Sequence, residues 1–213
     1  MAKNNKPKGK TMKIRGAARY PKIHAPYVYI KADNKSVIDW EKGKFQLEVV
    51  MTEAAAQPYI DEVKAAAEDA GLDLDEVKNW PYKVEKDKET KKKTGNVIFK
   101  ATQYGMGQDG QKRKIPLFDS KAQPVKSDFR LTGGSTVVMA VRTNAFEQLG
   151  GGVNLYLDGV QILKHVPYEG GNPGFTAEED GDFEAEGDEG SNGFSDESDA
   201  DEESSSQNSS TDF

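Results

Sequence analysis

From Glu169 to Phe213 the chain carries 16 acidic residues and not one lysine or arginine. All 29 basic residues lie at or before Lys164, against 20 acidic ones up to Tyr168. Residues 1–168 therefore hold a surplus of nine positive charges and the last 45 residues a surplus of sixteen negative ones, a split that the overall charge of −7 conceals. In the acidic stretch the only large apolar residues are Phe175, Phe183, Phe194 and Phe213, set among Gly, Ser, Asp and Glu. Such a segment buries too little surface to offset its chain entropy, so residues 169–213 are expected to be a disordered tail. Anything that folds must fold in the basic part. A basic body joined to an acidic ribbon suggests a surface for a polyanion and a tail able to imitate one.

The basic part is long enough to bury a core without covalent staples. The sequence has no cysteine, which removes disulfides and thiolate chemistry and fits a reducing, intracellular setting. His24 and His165 are its only imidazoles, without the paired spacing of a metal site. No apolar run approaches the roughly 20 residues that cross a bilayer. The start, Met1 to Lys10, is basic with no apolar segment behind it, unlike a signal peptide. A soluble, cytoplasmic protein is expected.

Residues 1–19 place Lys3, Lys6, Lys8, Lys10, Lys13, Arg15 and Arg19 among small and polar neighbours and read as a flexible basic arm. The folded domain is expected over 20–168. Tyr27 to Lys31 alternates with period two, and so does Lys44 to Met51, where Phe45, Leu47, Val49 and Met51 share a face. Glu53 to Ala70 reads as a helix with Ile60, Val63, Ala67 and Ala70 as its stripe, Pro58 near its first turn and Gly71 as its stop. Lys83 to Asn96 reads as a charged loop, and Val97 to Tyr104 as a strand. A glycine-rich turn, Gly105 to Gly110, leads to a strand-like run from Lys112 to Phe118. Val137 to Arg142 and Val153 to Leu163 are the last strands, with Gly159 marking a bulge. At least five strands and one inserted helix predict a mainly β chain: an OB-fold-like (oligonucleotide-binding) five-stranded barrel followed by the disordered acidic C-terminal tail.

Gly105-Met106-Gly107-Gln108-Asp109-Gly110 matches the dinucleotide pattern G-x-G-x-x-G. That chemistry needs a helix N-terminus to hold the pyrophosphate, whereas Pro116 and the run before it read as strand, so this is a hairpin turn. No phosphate-binding G-x-x-x-x-G-K-[ST] sequence is present. The carboxylates of the body are scattered and those of the tail lack a scaffold. No enzyme, metal or cofactor is expected.

What the body does show is aromatics beside cations. Single-stranded nucleic acid needs a positive path for its backbone and ring faces for its unpaired bases, each stack contributing roughly 1–3 kcal/mol whatever the base. Tyr27, Tyr29, Tyr104 and Tyr156 fall on polar strand faces, which core packing does not explain. Lys31, Lys100, Lys112, Arg113, Lys114, Arg130 and Arg142 are the matching cations. Phe146 falls in a stretch, Thr143 to Gly152, read as a loop. Trp80 and Tyr82, flanking Pro81, fit either a core lid or a stacking platform. Three functions stay open on the residues alone: single-stranded DNA binding, an adaptor or nucleic-acid mimic working through the tail, and an RNA chaperone.

The chain resembles the single-stranded-DNA-binding proteins of the T-seven-like podoviruses nearly end to end. The landmarks are Tyr27-Val28-Tyr29-Ile30, Phe45-Gln46-Leu47-Glu48-Val49 before the helix, Trp80-Pro81-Tyr82, the Asn96–Tyr104 strand and Asp119-Ser120 before Gly133-Gly134-Ser135. Gly152-Val153-Asn154-Leu155-Tyr156-Leu157 follows, and the acidic tail ends in Asp212-Phe213. The resemblance implies a barrel with an added helix, a homodimer as the usual assembly, and a role coating exposed strands in phage replication, recombination and repair. It also implies that Asp212 and Phe213 contact the replicative DNA polymerase and primase-helicase, and it directs stacking to Phe146 and Tyr156. A longer basic arm and a tail rich in Ser and Gly set this chain apart.

Overall fold

The computed structural model describes residues 9–126 and 129–167; the first eight residues of the expected arm, and the acidic stretch with Asp212 and Phe213, lie outside the described residues. Eight strands and one helix follow one another as β1 (Thr11–Ile30), β2 (Lys35–Ile38), β3 (Lys44–Thr52), α1 (Glu53–Asp69), β4 (Tyr82–Lys86), β5 (Lys93–Tyr104), β6 (Leu117–Phe118), β7 (Thr136–Phe146) and β8 (Gly152–Lys164). Five of them close a barrel in the order β1-β3-β5-β8-β7, returning to β1. All its pairings are antiparallel except β5 with β8, which run parallel. Among the described residues the protein is thus mainly β with a closed five-stranded barrel and a single helix, the architecture of an oligonucleotide-binding fold.

β1 corrects the expected arm. From Thr11 onward the chain is strand, paired with β7 over Thr11–Ala17 and then with β3. Met12, Ile14 and Ala18 are buried while Thr11, Lys13 and Arg15 face solvent. The density of cations conceals an ordinary period-two alternation. A strand 20 residues long serves both sides of a barrel only by bending, and its register shifts between Arg19 and Lys22 and again between Lys22 and Tyr27. Its last residues pair with β2.

The core follows the inward positions of these strands. Phe45, Leu47, Val49 and Met51 are buried, as their alternation predicts, beside Val97, Phe99 and Ala101 of β5. Val137, Met139 and Val141 of β7 and Leu155, Leu157 and Val160 of β8 complete it. Each large side chain so buried contributes roughly 1.5–3 kcal/mol relative to exposure. α1 touches β3, β5, β7 and β8, with Ala56, Val63 and Ala67 buried. Ala70, expected on the stripe, is exposed, because the helix is already ending there. Thr52 Oγ1 accepts from the Ala55 N–H at 3.4 Å to start the helix. At its end Gly71 takes a φ of 79° and donates to the Glu68 carbonyl, while the Leu72 N–H reaches the Ala67 carbonyl. That pairing is the left-handed glycine stop in which both orphan carbonyls are satisfied.

Three other expectations change. Lys83 to Asn96 is not a loop but the hairpin of β4 and β5, turned by Asp87, whose Oδ1 accepts from the Glu89 and Thr90 N–H groups. An exposed hairpin needs few apolar residues, so its pattern is faint in the sequence. The run from Lys112 to Phe118 is strand only at Leu117–Phe118. Pro116 has no N–H for a ladder, and its carbonyl accepts from Val160 instead. Phe146 is the last residue of β7, opposite Gly152, rather than a loop residue. The bulge of β8 lies where the sequence places it: Ala140 opposes Gly159 and Val141 opposes Leu157, which leaves Asp158 as the extra residue. Gly105–Gly110 is a turn, closed by Gly107 N–H to the Gln111 carbonyl and Arg113 N–H to the Gly105 carbonyl at 2.8 Å each, with no helix after it. Among the described residues no helix is long and apolar enough to cross a membrane, and no group of three metal-ligating side chains comes together.

Candidate nucleic-acid interface

The register of the strands sets side chains in rows across the outer face of the barrel. Lys22, Gln46, Thr102 and Tyr156 are successive partners on β1, β3, β5 and β8. On one side lies the row Tyr27–Lys44–Tyr104, and on the other Arg19–Glu48–Lys100. Over these rows runs a groove of about 470 Å³. Lys22, Lys42, Lys44 and Lys100 line it with Tyr27, Tyr29 and Trp80, and among the described residues no carboxylate does. Four ammonium groups, none in an ion pair among the described residues, make it positive. The ring faces beside them supply what unpaired bases stack on.

The tyrosines are held, not loose. Tyr27 Oη shares a hydrogen bond with His24 Nε2 at 2.6 Å, and Tyr29 Oη donates to Asn34 Oδ1. Burial, and then the charge of Arg130, lower the pKa of His24. Lys22 Nζ lies 5.5 Å from the Tyr27 ring centre, Lys44 Nζ 4.5 Å from Tyr104, and Lys112 Nζ 5.0 Å from Trp40. At exposed sites such contacts are worth about 0.5–1 kcal/mol, weak enough for a phosphate to replace.

Of the two roles the sequence leaves open, Trp80 combines both, packing on the core as well as facing the groove, and Tyr82 takes one. Trp80 lines the groove. Tyr82 packs 5.6 Å from Phe99, centre to centre, and its burial raises its pKa. It belongs to the core lid.

The twelve predicted binding residues do not form one cluster. Tyr27, Tyr29 and Lys100 line the groove, with exposed Tyr104 one row away. Lys31 is exposed in the β1–β2 turn, Lys112 is exposed over Trp40, and Arg130 is exposed before β7. Arg113, Lys114 and Arg142 meet in a second hollow of about 350 Å³. There Arg113 Nη1 donates to Gln103 Oε1 at 2.5 Å, and Arg142 is doubly bonded to Asp158 at 2.6 and 2.8 Å. Arg142 is thus paired with a carboxylate, while Arg113 is tethered to a neutral amide. Phe146 and Tyr156 line a third cleft, of about 770 Å³, beside the end of α1.

Lys22, Lys44 and Trp40 escape the sequence reading. Lys44 carries the same signal as the residues chosen, a cation on the polar face of an alternating strand. Lys22 does not, because the bulges in β1 break its alternation.

No protein-family model matches the chain, and no curated protein matches it in sequence. Solved structures do match in fold. One is gp2.5, a single-stranded DNA binding protein encoded by bacteriophage T7, at a TM-score of 0.55 and 19% identity, covering 83% of this chain and 100% of that one. Another is the C-terminally truncated single-stranded DNA-binding protein of bacteriophage Enc34, at 0.54 and 13%, covering 74% and 87%. The Enc34 protein in complex with single-stranded DNA matches at 0.50 and 16%, over 74% and 88%. In fold, then, the chain stands beside bacteriophage single-stranded-DNA-binding proteins, as the resemblance in its sequence implied.

Proposed function

We propose that the protein binds single-stranded DNA without sequence preference, through the groove over β1, β3 and β5. The observation that carries this reading is the lining itself: four lysines and three aromatic rings with, among the described residues, no carboxylate. Stacking and phosphate contact both ignore base identity, so the chemistry favours coating over reading. The Enc34 neighbour holds single-stranded DNA on the same fold, which supports the reading.

On this reading the protein serves phage DNA replication, recombination and repair in the cytoplasm of an infected cell. The acidic tail competes with DNA for the groove, and DNA releases it to recruit the replicative DNA polymerase and primase-helicase through Asp212 and Phe213. The supports for the tail's part are the charge split and the resemblance in sequence.

Titration with oligo-dT, followed by tryptophan and tyrosine fluorescence across salt, tests the proposal. Quenching is expected, and each phosphate contact adds roughly 0.7 to the slope of log affinity against log salt. A chain ending at Tyr168 is expected to bind more tightly at low salt. Absence of quenching and binding would leave the adaptor reading, and preference for an RNA oligomer would favour the RNA chaperone.

A further inference from the structure

Beyond the groove, at the first bend of β1, Tyr20 is 56% exposed and has a φ of 45°. That backbone region is unfavourable for any residue with a Cβ, and an exposed tyrosine gains no core packing in return. Strain of this kind persists where the surroundings impose it and gathers at functional positions.

The surroundings here are specific. The Arg19 guanidinium lies 5.0 Å from the centre of the Tyr20 ring. Its Nη1 donates to Glu85 Oε1 at 2.5 Å, and Glu85 Oε2 accepts from Thr94 Oγ1 and Asn96 Nδ2 at 3.0 Å each. Arg19 is therefore held in place, with its guanidinium over the Tyr20 ring. The β4–β5 turn stands alongside. Its Asp87 is spent on the turn's own N–H groups and its Glu85 on Arg19, so exposed Lys88, Lys91 and Lys92 outnumber the exposed carboxylate of Glu89, with Lys91 Nζ resting on the Lys88 carbonyl at 2.6 Å. The pKa of Tyr20 is lowered by Arg19 first and then by Lys88, which agrees with this placement.

The cluster continues the groove. Arg19 opposes Glu48, and Glu48 opposes Lys100, which lines the groove. We propose that Tyr20 on Arg19, with Lys88 and Lys91 of the β4–β5 turn, is a second stacking and phosphate station that lengthens the single-stranded DNA track. This rests on the reading of the groove as the DNA face. A base stacks on the free side of the Tyr20 ring, and the turn's ammonium groups meet the phosphates on either side of it.

The test is a length series of oligo-dT, about 6, 10 and 16 nucleotides, spanning the range one such barrel covers. It uses full-length protein with Tyr20→Ala, with Lys88→Ala/Lys91→Ala, and with Lys44→Ala as the groove control. Lys44→Ala is expected to weaken binding at every length. Tyr20→Ala is expected to leave the shortest oligomer within twofold of wild type and to weaken the longest at least about fivefold. The double lysine variant lowers the salt slope by about 1.4 on the longest oligomer only. Equal loss at all lengths, or none at any, overturns the second station while the groove stands. Wild-type protein that binds no oligomer overturns both. Melting temperatures of the variants show that the comparison is between folded proteins.

Discussion

Arg142 and Asp158 form a two-point pair across the bulge of β8, Nε to Oδ2 at 2.6 Å and Nη2 to Oδ1 at 2.8 Å. Asp158 stands on the face of β8 that carries Tyr156 by ordinary alternation, and the bulge shifts the phase of the strand only beyond it. The pair holds one guanidinium that would otherwise be free for phosphate. Asp158→Asn is expected to raise affinity for single-stranded DNA about two- to fivefold at low salt and to steepen the salt slope by about 0.7. Stability should change by less than about 1 kcal/mol, since both side chains are partly exposed. An unchanged slope in a salt titration would place Arg142 off the DNA track.

Tyr104 and Lys44 face each other on β5 and β3, and the ring is 45% exposed. Tyr104→Ala removes a stacking surface and is expected to cost roughly 1–3 kcal/mol of binding. Tyr104→Phe keeps the ring and should stay within about twofold of wild type. Fluorescence titration with oligo-dT separates the two. Similar losses in both would mean that the hydroxyl, not the ring, makes the contact.

Gly152 opens β8 under close approach from two sides. A Cβ there would stand 2.5 Å from the Asn79 carbonyl oxygen and 2.7 Å from Phe146 Cζ. Gly152→Ala is expected to destabilise the fold by about 1–3 kcal/mol, read as a lower denaturation midpoint. The displaced Phe146 ring would report the same strain through altered chemical shifts.

The β4–β5 hairpin should be the acid-sensitive part of the domain. Glu85 has its pKa lowered by the Asn96, Thr94 and Arg19 donors, and Asp87 by the Thr90 donors. A carboxylate with a lowered folded pKa contributes stability above its unfolded value, about 4, and loses it as pH falls through the folded value. Amide protection in the hairpin, relative to intrinsic exchange, is therefore expected to fall below about pH 4 before that of the barrel strands. Glu85→Gln should blunt this response. Uniform loss of protection over the whole domain would count against it.

How far the sequence speaks for the fold depends on what each strand faces. β3 was legible because Phe45, Leu47, Val49 and Met51 alternate with polar residues over one buried face. α1 was legible from its stripe and from Gly71. β1 was not, since its apolar positions are spaced by cations and then displaced by two bulges. The outer end of the β4–β5 hairpin, residues 86–95, is exposed on both faces and so carries little hydrophobic period. For the site, reading polar-face aromatics found Tyr27 and Tyr29. It missed Lys22 and Lys44, which register brings beside them, and it grouped Arg113 and Arg142 with the groove although their partners Gln103 and Asp158 hold them elsewhere. Cross-strand neighbours are a property of register, which no single strand records.

Between β5 and β8 the backbone ladder has a single rung, Thr102 opposite Tyr156, backed by the Gln103 side chain reaching the Leu157 carbonyl at 3.4 Å. Every other wall of the cylinder is stitched over several residues. The wall is therefore cheapest to part at this seam, and its lips are Thr102 and Asn154, both edges of the proposed DNA groove. A strand lying along the groove would bridge those lips and act as a clasp, so the ligand completes the cylinder that carries it.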